Sequence, residues 1–427
     1  MAVSLPILTL PLGGQSYSCH GCGGCCREFT VQLDDADLRR LTEQRWTERL
    51  GEPVTVEFRG RTFLRQRESD GGCIFLLDDG RCRVHAEFGF TEKPVACQLF
   101  PFSLVPAEGE IRMGLNFGCP SVVDSKGAAL SSHLGELRRM GRVMGLEPAS
   151  VSARLTRSLR AQKHEVDLVA DAVDGWLATP DVSFDLRLEG LAWLATSLAR
   201  ATLDRVRGSR LRELMDLLTS ALPEELHLLP DVPATARQCR VLRQSVFARV
   251  EHPTINAMRR TGRLRTSLAQ LGRQRAFARG RGAAPFTEPG WPDGIDMSAV
   301  DAVAPASDRA TVAAVDDVMT RYMRATIRGG RAWGAGYYGW PIVDGLEAMV
   351  LTVGCLGWLA RLHACGSDRR ELALDDVRAA LICIDRHVGR APWLGSRIER
   401  MRLSYLRSND GLRRLARRYT VIIRGAE

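Results

Sequence analysis

From about residue 130 onward, apolar positions recur at steps of three and four. Leu134, Leu137, Met140 and Met144 follow that spacing, as do Leu188, Leu191, Leu194 and Leu198, and then Leu211, Leu214 and Leu218. A period near 3.6 places such positions on one stripe of a helix. Helices are also expected over Ala310 to Ile327, Val343 to His363 and Leu374 to His387, with a last stretch from Ser396 to Tyr419 broken near Asn409-Asp410-Gly411. The longest uncharged apolar run, Ala348 to Ala360, has 13 residues. That is short of the roughly 20 needed to span a bilayer, so it reads as a buried helix and no membrane association is expected. Gly280 to Asp296 is rich in Gly and Pro and reads as a linker.

The first part of the chain has a different pattern. Asp34-Asp35-Ala36-Asp37 precedes Leu38, Leu41 and Leu50. Asp34 suits a helix cap and Asp37 the positive first turn. Val54, Val56 and Phe58 alternate with Thr55 and Glu57 until Gly60, which predicts a hairpin. Strands and helices do not alternate as βα units, and there is no internal repeat. The expected fold class is α+β: a small cysteine-rich metal-binding module over residues 15–125, followed by a mainly α-helical part. That part is expected to run over 130–279 and 297–427, joined by the linker 280–296.

The length, 427 residues, suggests two or three domains, and 45% hydrophobic with 26% charged residues excludes a mainly disordered chain. Met1 to Gly14 is mildly apolar but lacks a basic start and a small-residue cleavage site, so a cytoplasmic protein is expected. The net charge of +9 is modest for this length, and Lys93, Lys126 and Lys163 are the only lysines. Such an arginine skew, with abundant Ala and Gly, fits a GC-rich genome and does not argue for nucleic acid. Arg259 to Arg281 holds eight arginines and no acid, with Phe277 its one aromatic. It reads as a solvated or protein-contact face.

The cysteines change the picture most. Eight of twelve lie early: Cys19, Cys22, Cys25, Cys26, Cys73, Cys82, Cys97 and Cys119. In a reducing compartment such a cluster points to metal or catalysis rather than disulfides. Cys239, Cys355, Cys365 and Cys383 fall in helical segments and read as small buried residues. Cys19-His20-Gly21-Cys22-Gly23-Gly24-Cys25-Cys26 has the C-x2-C spacing that lets a tight turn aim two sulfurs at one centre. The glycines permit the positive φ that such a turn needs. Cys19, Cys22 and Cys25 also carry the C-x2-C-x2-C spacing of ferredoxin-type iron–sulfur sites. Neighbouring side chains diverge, so Cys26 is expected to serve a second metal or to be a reactive thiol. In a regular hairpin about Asp79-Gly80, Cys82 faces Leu77 and Cys73 lies roughly 13 Å further along the strand. Either that hairpin is distorted around one metal, or the two thiols feed different centres. Cys97 is stiffened by Pro94 and Pro101, and Cys119 is followed by Pro120, as in the ferredoxin ligand run. Phe100, Phe102 and Phe117 are expected to exclude water from the centre. His20 and His85 are expected to ligate or to orient a thiolate, with His387 a core or surface residue.

The run C-x2-C-x2-CC, then G-C-I-F-L-x-D-D-G-x-C, then K-P-x-x-C-Q-x-F-P-F resembles the YkgJ-like cysteine-cluster family, a zinc- or iron-chelating domain, over roughly residues 17–123. Cys119-Pro120 and the helical remainder look like the branch that contains flagellin lysine-N-methylases. Lys93 and Gln98 stand where the family commonly has arginine, so any arginine role there is open in this chain. The resemblance implies metal on the eight early cysteines, as an iron–sulfur cluster or zinc. By the weaker likeness it implies a protein or peptide substrate and S-adenosylmethionine as donor, with a non-catalytic metal-handling protein as the alternative. Gly334-Ala335-Gly336-Tyr337-Tyr338-Gly339 matches G-x-G-x-x-G, but a helical segment precedes it and Pro341 follows. Without the βαβ context it reads as a connection between helices, with Tyr337, Tyr338 and Trp340 available to line a pocket.

Overall fold

The computed structural model describes residues 13–228, 230–251, 255–285, 288, 290–389, 391–408 and 410–423. The segment read for a secretory signal lies outside them through Leu12, as does Asn409. In chain order the first part carries β1 (Ser16–Tyr17), α1 (Gly24–Glu28), α2 (Asp35–Glu43), α3 (Trp46–Leu50), β2 (Thr55–Phe58), β3 (Arg61–Leu64), α4 (Arg83–Phe88), α5 (Val95–Leu99), β4 (Phe102–Ala107), β5 (Glu110–Leu115), α6 (Pro120–Val123) and β6 (Ala128–Ala129). The strands make antiparallel pairs β1–β6, β2–β3 and β4–β5. Helices follow: α7 (Leu134–Val143), α8 (Lys163–Leu177), α9 (Phe184–Arg200), α10 (Ser209–Leu228), α11 (Ala236–Val250) and α12 (Ile255–Arg279). The last are α13 (Arg309–Arg328), α14 (Ile342–Gly366), α15 (Leu374–His387), α16 (Arg397–Ser408) and α17 (Gly411–Arg418). The architecture is therefore a region of short strands and helices followed by a large, mainly helical part.

α14 is long and apolar enough to cross a membrane, but it is buried along its length. It lies against α9, α11, α15 and α17 and forms the centre of the main core. The guanidinium groups inside that core have hydrogen-bond partners. Arg249 donates to Glu399 Oε1 at 2.7 Å, and Arg361 ends on the carbonyls of Val303, Gly357 and Thr420. Burying either guanidinium without such partners is costly. Cys239, Cys355 and Cys383 are buried here, and Cys365 is half-buried.

A second hydrophobic cluster joins Leu33, Leu41, Trp46, Val54, Leu64, Phe75, Leu76 and Val84 with Cys73. Asp34 caps α2, accepting from Asp37 N at 2.7 Å, while Asp37 accepts in return from Asp34 N. The helical run expected through Leu50 is split. Arg45 takes a left-handed conformation (φ 54°), which turns Trp46 inward against Phe75. The Tyr17, Phe102 and β5 side chains belong to the main core instead. There, Asp385 of α15 accepts from Phe117 N at 2.6 Å and from Arg331, locking β5 against the helices.

Candidate metal centre

Gly23 (φ 69°) turns the chain into α1, whose first turn carries Cys25 and Cys26. Their sulfurs are 4.0 Å apart. The expected divergence of Cys26 from Cys25 does not occur. Helical neighbours stand only about 100° apart, and both side chains line the same cavities. Two thiolates held about 2.3 Å from one tetrahedral metal stand about 3.8 Å apart, so this pair is close enough to share a metal or to join two adjoining centres.

The Cys73–Cys82 segment is not a regular hairpin. Leu76 N donates to Cys73 O at 2.9 Å, a tight turn that folds Cys73 back, and Cys82 pairs with Leu76 rather than Leu77. Gly80 (φ 83°) presses this turn against the first cysteine loop, where any Cβ would run into the carbonyl of Gly21. Cys73 N donates to Cys26 O at 2.7 Å, a direct tie between the two segments. Pro94 caps α5, which carries Cys97, and Cys119 caps α6.

Two chambers adjoin these residues. One, of about 660 Å³, is lined by Cys25, Cys26, Cys73, Cys82 and Cys97. The other, of about 470 Å³, is lined by Cys19, Cys22 and Cys119 together with Cys25, Cys26, Cys82 and Cys97. All eight early cysteines thus face one of two cavities with a shared wall. Cys19 and Cys22 are exposed, while Cys73 and Cys119 are buried. Among the described residues, no three His, Cys, Asp or Glu side chains are gathered tightly enough to hold a metal ion in this geometry.

The electrostatics divide the thiols further. Burial pushes Cys119 up to about 11, with Cys22 and Cys25 adding to the rise. Tyr17, raised by burial, also feels Cys19, Cys119, Cys25 and Cys22. Burial pushes Cys73 up to about 12, reinforced by Cys82 and Cys25. Cys97 is raised by burial and by Cys73, Cys25 and Cys82. Cys25 lies at the seam. A hydrogen bond from the Cys26 thiol, helped by Lys93, lowers it to about 6, while Cys26 is raised.

Phe100 lines both chambers and meets Phe29 edge-on at 4.7 Å. Phe117 does not join that shell; it packs on Tyr322 in the main core. His20 shares a hydrogen bond with Ser121 Oγ at 2.9 Å, and His85 lies against Phe90. Gln98 is buried, donates to the carbonyls of Thr91 and Lys93, and accepts from Arg139, so it braces the Cys97 turn. Glu28, at the end of α1, pairs with Arg386 of α15, which also holds Glu288. Sequence reading passed over Glu28, Phe29 and Tyr17. The Cys25-to-Phe29 step of four was the available signal for Phe29; the Glu28–Arg386 pair spans the chain and had none. The Gly334–Gly339 segment is a turn between α13 and α14, closed by Gly334 and Trp340, and Tyr337 faces a small internal cavity.

The fold and the thiol arrangement define a cysteine-cluster domain built onto a helical one. Residues 18–120 match the family CxxCxxCC, described as "Putative zinc- or iron-chelating domain", and this N-terminal region is a member of that YkgJ-like family. Uncharacterized protein MJ0939 of Methanocaldococcus jannaschii is similar, 33% identical over 92 residues. That alignment covers 21% of this chain and 30% of the relative's length. No solved structure matches the chain.

Proposed function

We propose that the N-terminal domain holds metal on two four-thiolate sets: Cys19, Cys22, Cys25 and Cys119, and Cys26, Cys73, Cys82 and Cys97. The observation that carries this is that Cys19, Cys22 and Cys119 line only one of the two chambers and Cys73 only the other, the two meeting at the Cys25–Cys26 pair. The first set has the ferredoxin spacing and ends on Cys119-Pro120. The second is supported by the Cys73–Cys26 backbone bond. Cys19 and Cys22 are exposed on the glycine-rich loop at the rim of this chamber.

Iron–sulfur is favoured over zinc. A structural zinc site is closed by its own four ligands, whereas thiols spread over the wall of a chamber of about 470 Å³ suit a polynuclear cluster. When bound, such a cluster supplies electron-transfer or Lewis-acid chemistry. The chain's own residues bring Lys93 to offset thiolate charge and Phe29 and Phe100 to exclude water. Because the second set opens on a chamber large enough for a ligand, the reading extends to a catalytic centre in a reducing cytoplasm. Its reaction class, methyl transfer from S-adenosylmethionine to a protein or peptide, draws on the resemblance to flagellin lysine-N-methylases. Iron, zinc and acid-labile sulfide should be quantified on protein purified without oxygen. Iron with matching sulfide is expected; stoichiometric zinc without sulfide contradicts the cluster.

A further inference from the structure

The chamber of about 660 Å³ is within the size range of small-molecule sites. Its walls are apolar: Phe29, Val31, Phe58, Phe63, Phe75 and Phe100. Its charged lining residues are Arg59, Arg61 and Lys93, and no aspartate or glutamate lines it among the described residues. Among the described residues, none of the three cations makes a carboxylate ion pair there. Arg59 stacks on the Phe58 ring at 4.9 Å, Arg61 donates to the Gln32 amide at 3.2 Å, and Lys93 stands over Phe90 at 5.4 Å. Neutral partners orient Arg59 and Arg61 and leave their charge uncompensated, whereas Lys93 faces the thiols of Cys25 and Cys97.

The turn that presents the arginines is costly. Phe58 pairs with Arg61, so Arg59 and Gly60 form the two-residue loop, both with positive φ (54° and 70°). Asn or Gly is preferred at the first of these positions, and another L-residue there is strained. Lys93 is the cation that acts on Cys25 and Cys97. Arg59 and Arg61 stand apart from it on the hairpin tip, beside Phe58 and Gln32.

We infer that this chamber binds an anionic small molecule with an apolar or aromatic body, its acidic group at Arg59 and Arg61 and its body against the phenylalanines, within reach of the cysteine cluster. The inference rests on the proposed metal centre and departs from the lysine-methylase likeness in the ligand class it gives the adjoining chamber. A lysine side chain there would bring its ammonium to Arg59 and Arg61, with no carboxylate among the described lining residues.

The test uses the full chain purified without oxygen and three fluorescent naphthalenes. Anilinonaphthalene sulfonate is anionic, phenyl-naphthylamine is neutral, and naphthylethylenediamine is cationic. The anion should bind saturably at one site, about tenfold more tightly than the cation, as expected from two solvent-facing charge contacts. In Arg59→Asn with Arg61→Gln, a pair that suits the turn and keeps it folded, anion affinity should fall about tenfold. The neutral probe should shift less than twofold, and metal content should stay at the wild-type level. Equal affinity for the cation, an anion affinity untouched by the double substitution, or no saturable binding would each overturn the inference. Iron is measured on the same samples, so loss of the cluster reading and loss of this one are separable: absent iron speaks against the first, charge-blind binding against the second.

Discussion

The two hydrophobic clusters solve the same problem by different means. Around α14 the helices bury a continuous apolar core, and each interior charge has a partner, such as Arg331 on Asp385. Around Trp46 the core is nine buried residues, and one of these, Cys73, is itself a thiol of the candidate centre. A cluster that small is marginal without a staple, so the cysteine region is expected to depend on metal and the helical region is not. The seam between them is also informative. β4 and β5 follow Cys97 directly, yet their side chains pack into the helical core.

Metal removal should expose the contrast most strongly. Structural thiolate sites contribute on the order of 10 kcal/mol to the folding of small modules. Exhaustive chelation should therefore raise amide exchange over residues 18–99 by orders of magnitude while leaving β5 and α14 protected. Unchanged exchange in the cysteine region breaks the comparison. The reverse experiment is Arg331→Met, which leaves Asp385 buried with one backbone donor, Phe117 N. It should cost about 3–5 kcal/mol in denaturant unfolding of the helical region, with metal content intact in the folded fraction.

A pH experiment separates the regions more gently. Burial opposes ionisation of Glu165, but Arg207 and the N–H groups of Gln162 and Gly208 outweigh it and hold the carboxyl at about 2. A depressed value means stability present above the ordinary glutamate range and lost as pH falls through about 2. The loss should be on the order of 3 kcal/mol, read as the difference between wild type and Glu165→Gln in urea titrations at pH 6 and pH 2 (roughly the two limits of that window). The smallest effect is expected from Asp34→Ala. Removing the α2 cap should cost about 1 kcal/mol, and thermal unfolding followed at Trp46 should report it.

Much of this was legible from residue pattern alone. The three-and-four steps marked the helical region because a buried stripe constrains those positions directly, and Leu374 to His387 matches α15 end to end. The Asp34 cap and the β2–β3 hairpin were legible for the same reason: each is a local contact between near neighbours. The site was legible as residue types but not as an arrangement. The approach of Cys25 to Cys26 is local to α1, while the turn after Cys73 leads into the Gly80 loop that packs on the Gly21 carbonyl. That contact is made between segments far apart in sequence. Phe117 was misplaced for the same reason, since the competing partner, Tyr322, is remote in the chain. The lining of the larger chamber, acid-free among the described residues, had no sequence signature, because the hairpin that carries Arg59 and Arg61 is remote in the chain from Lys93.

The division into two thiolate sets is tested most directly by metal stoichiometry in single variants from each. Cys119→Ser and Cys26→Ser, purified without oxygen, should each retain about half of the wild-type iron and sulfide, as expected when one of two four-thiolate centres is lost, and the double variant should retain almost none. Full loading in both single variants, or complete loss in both, would contradict the two-set assignment.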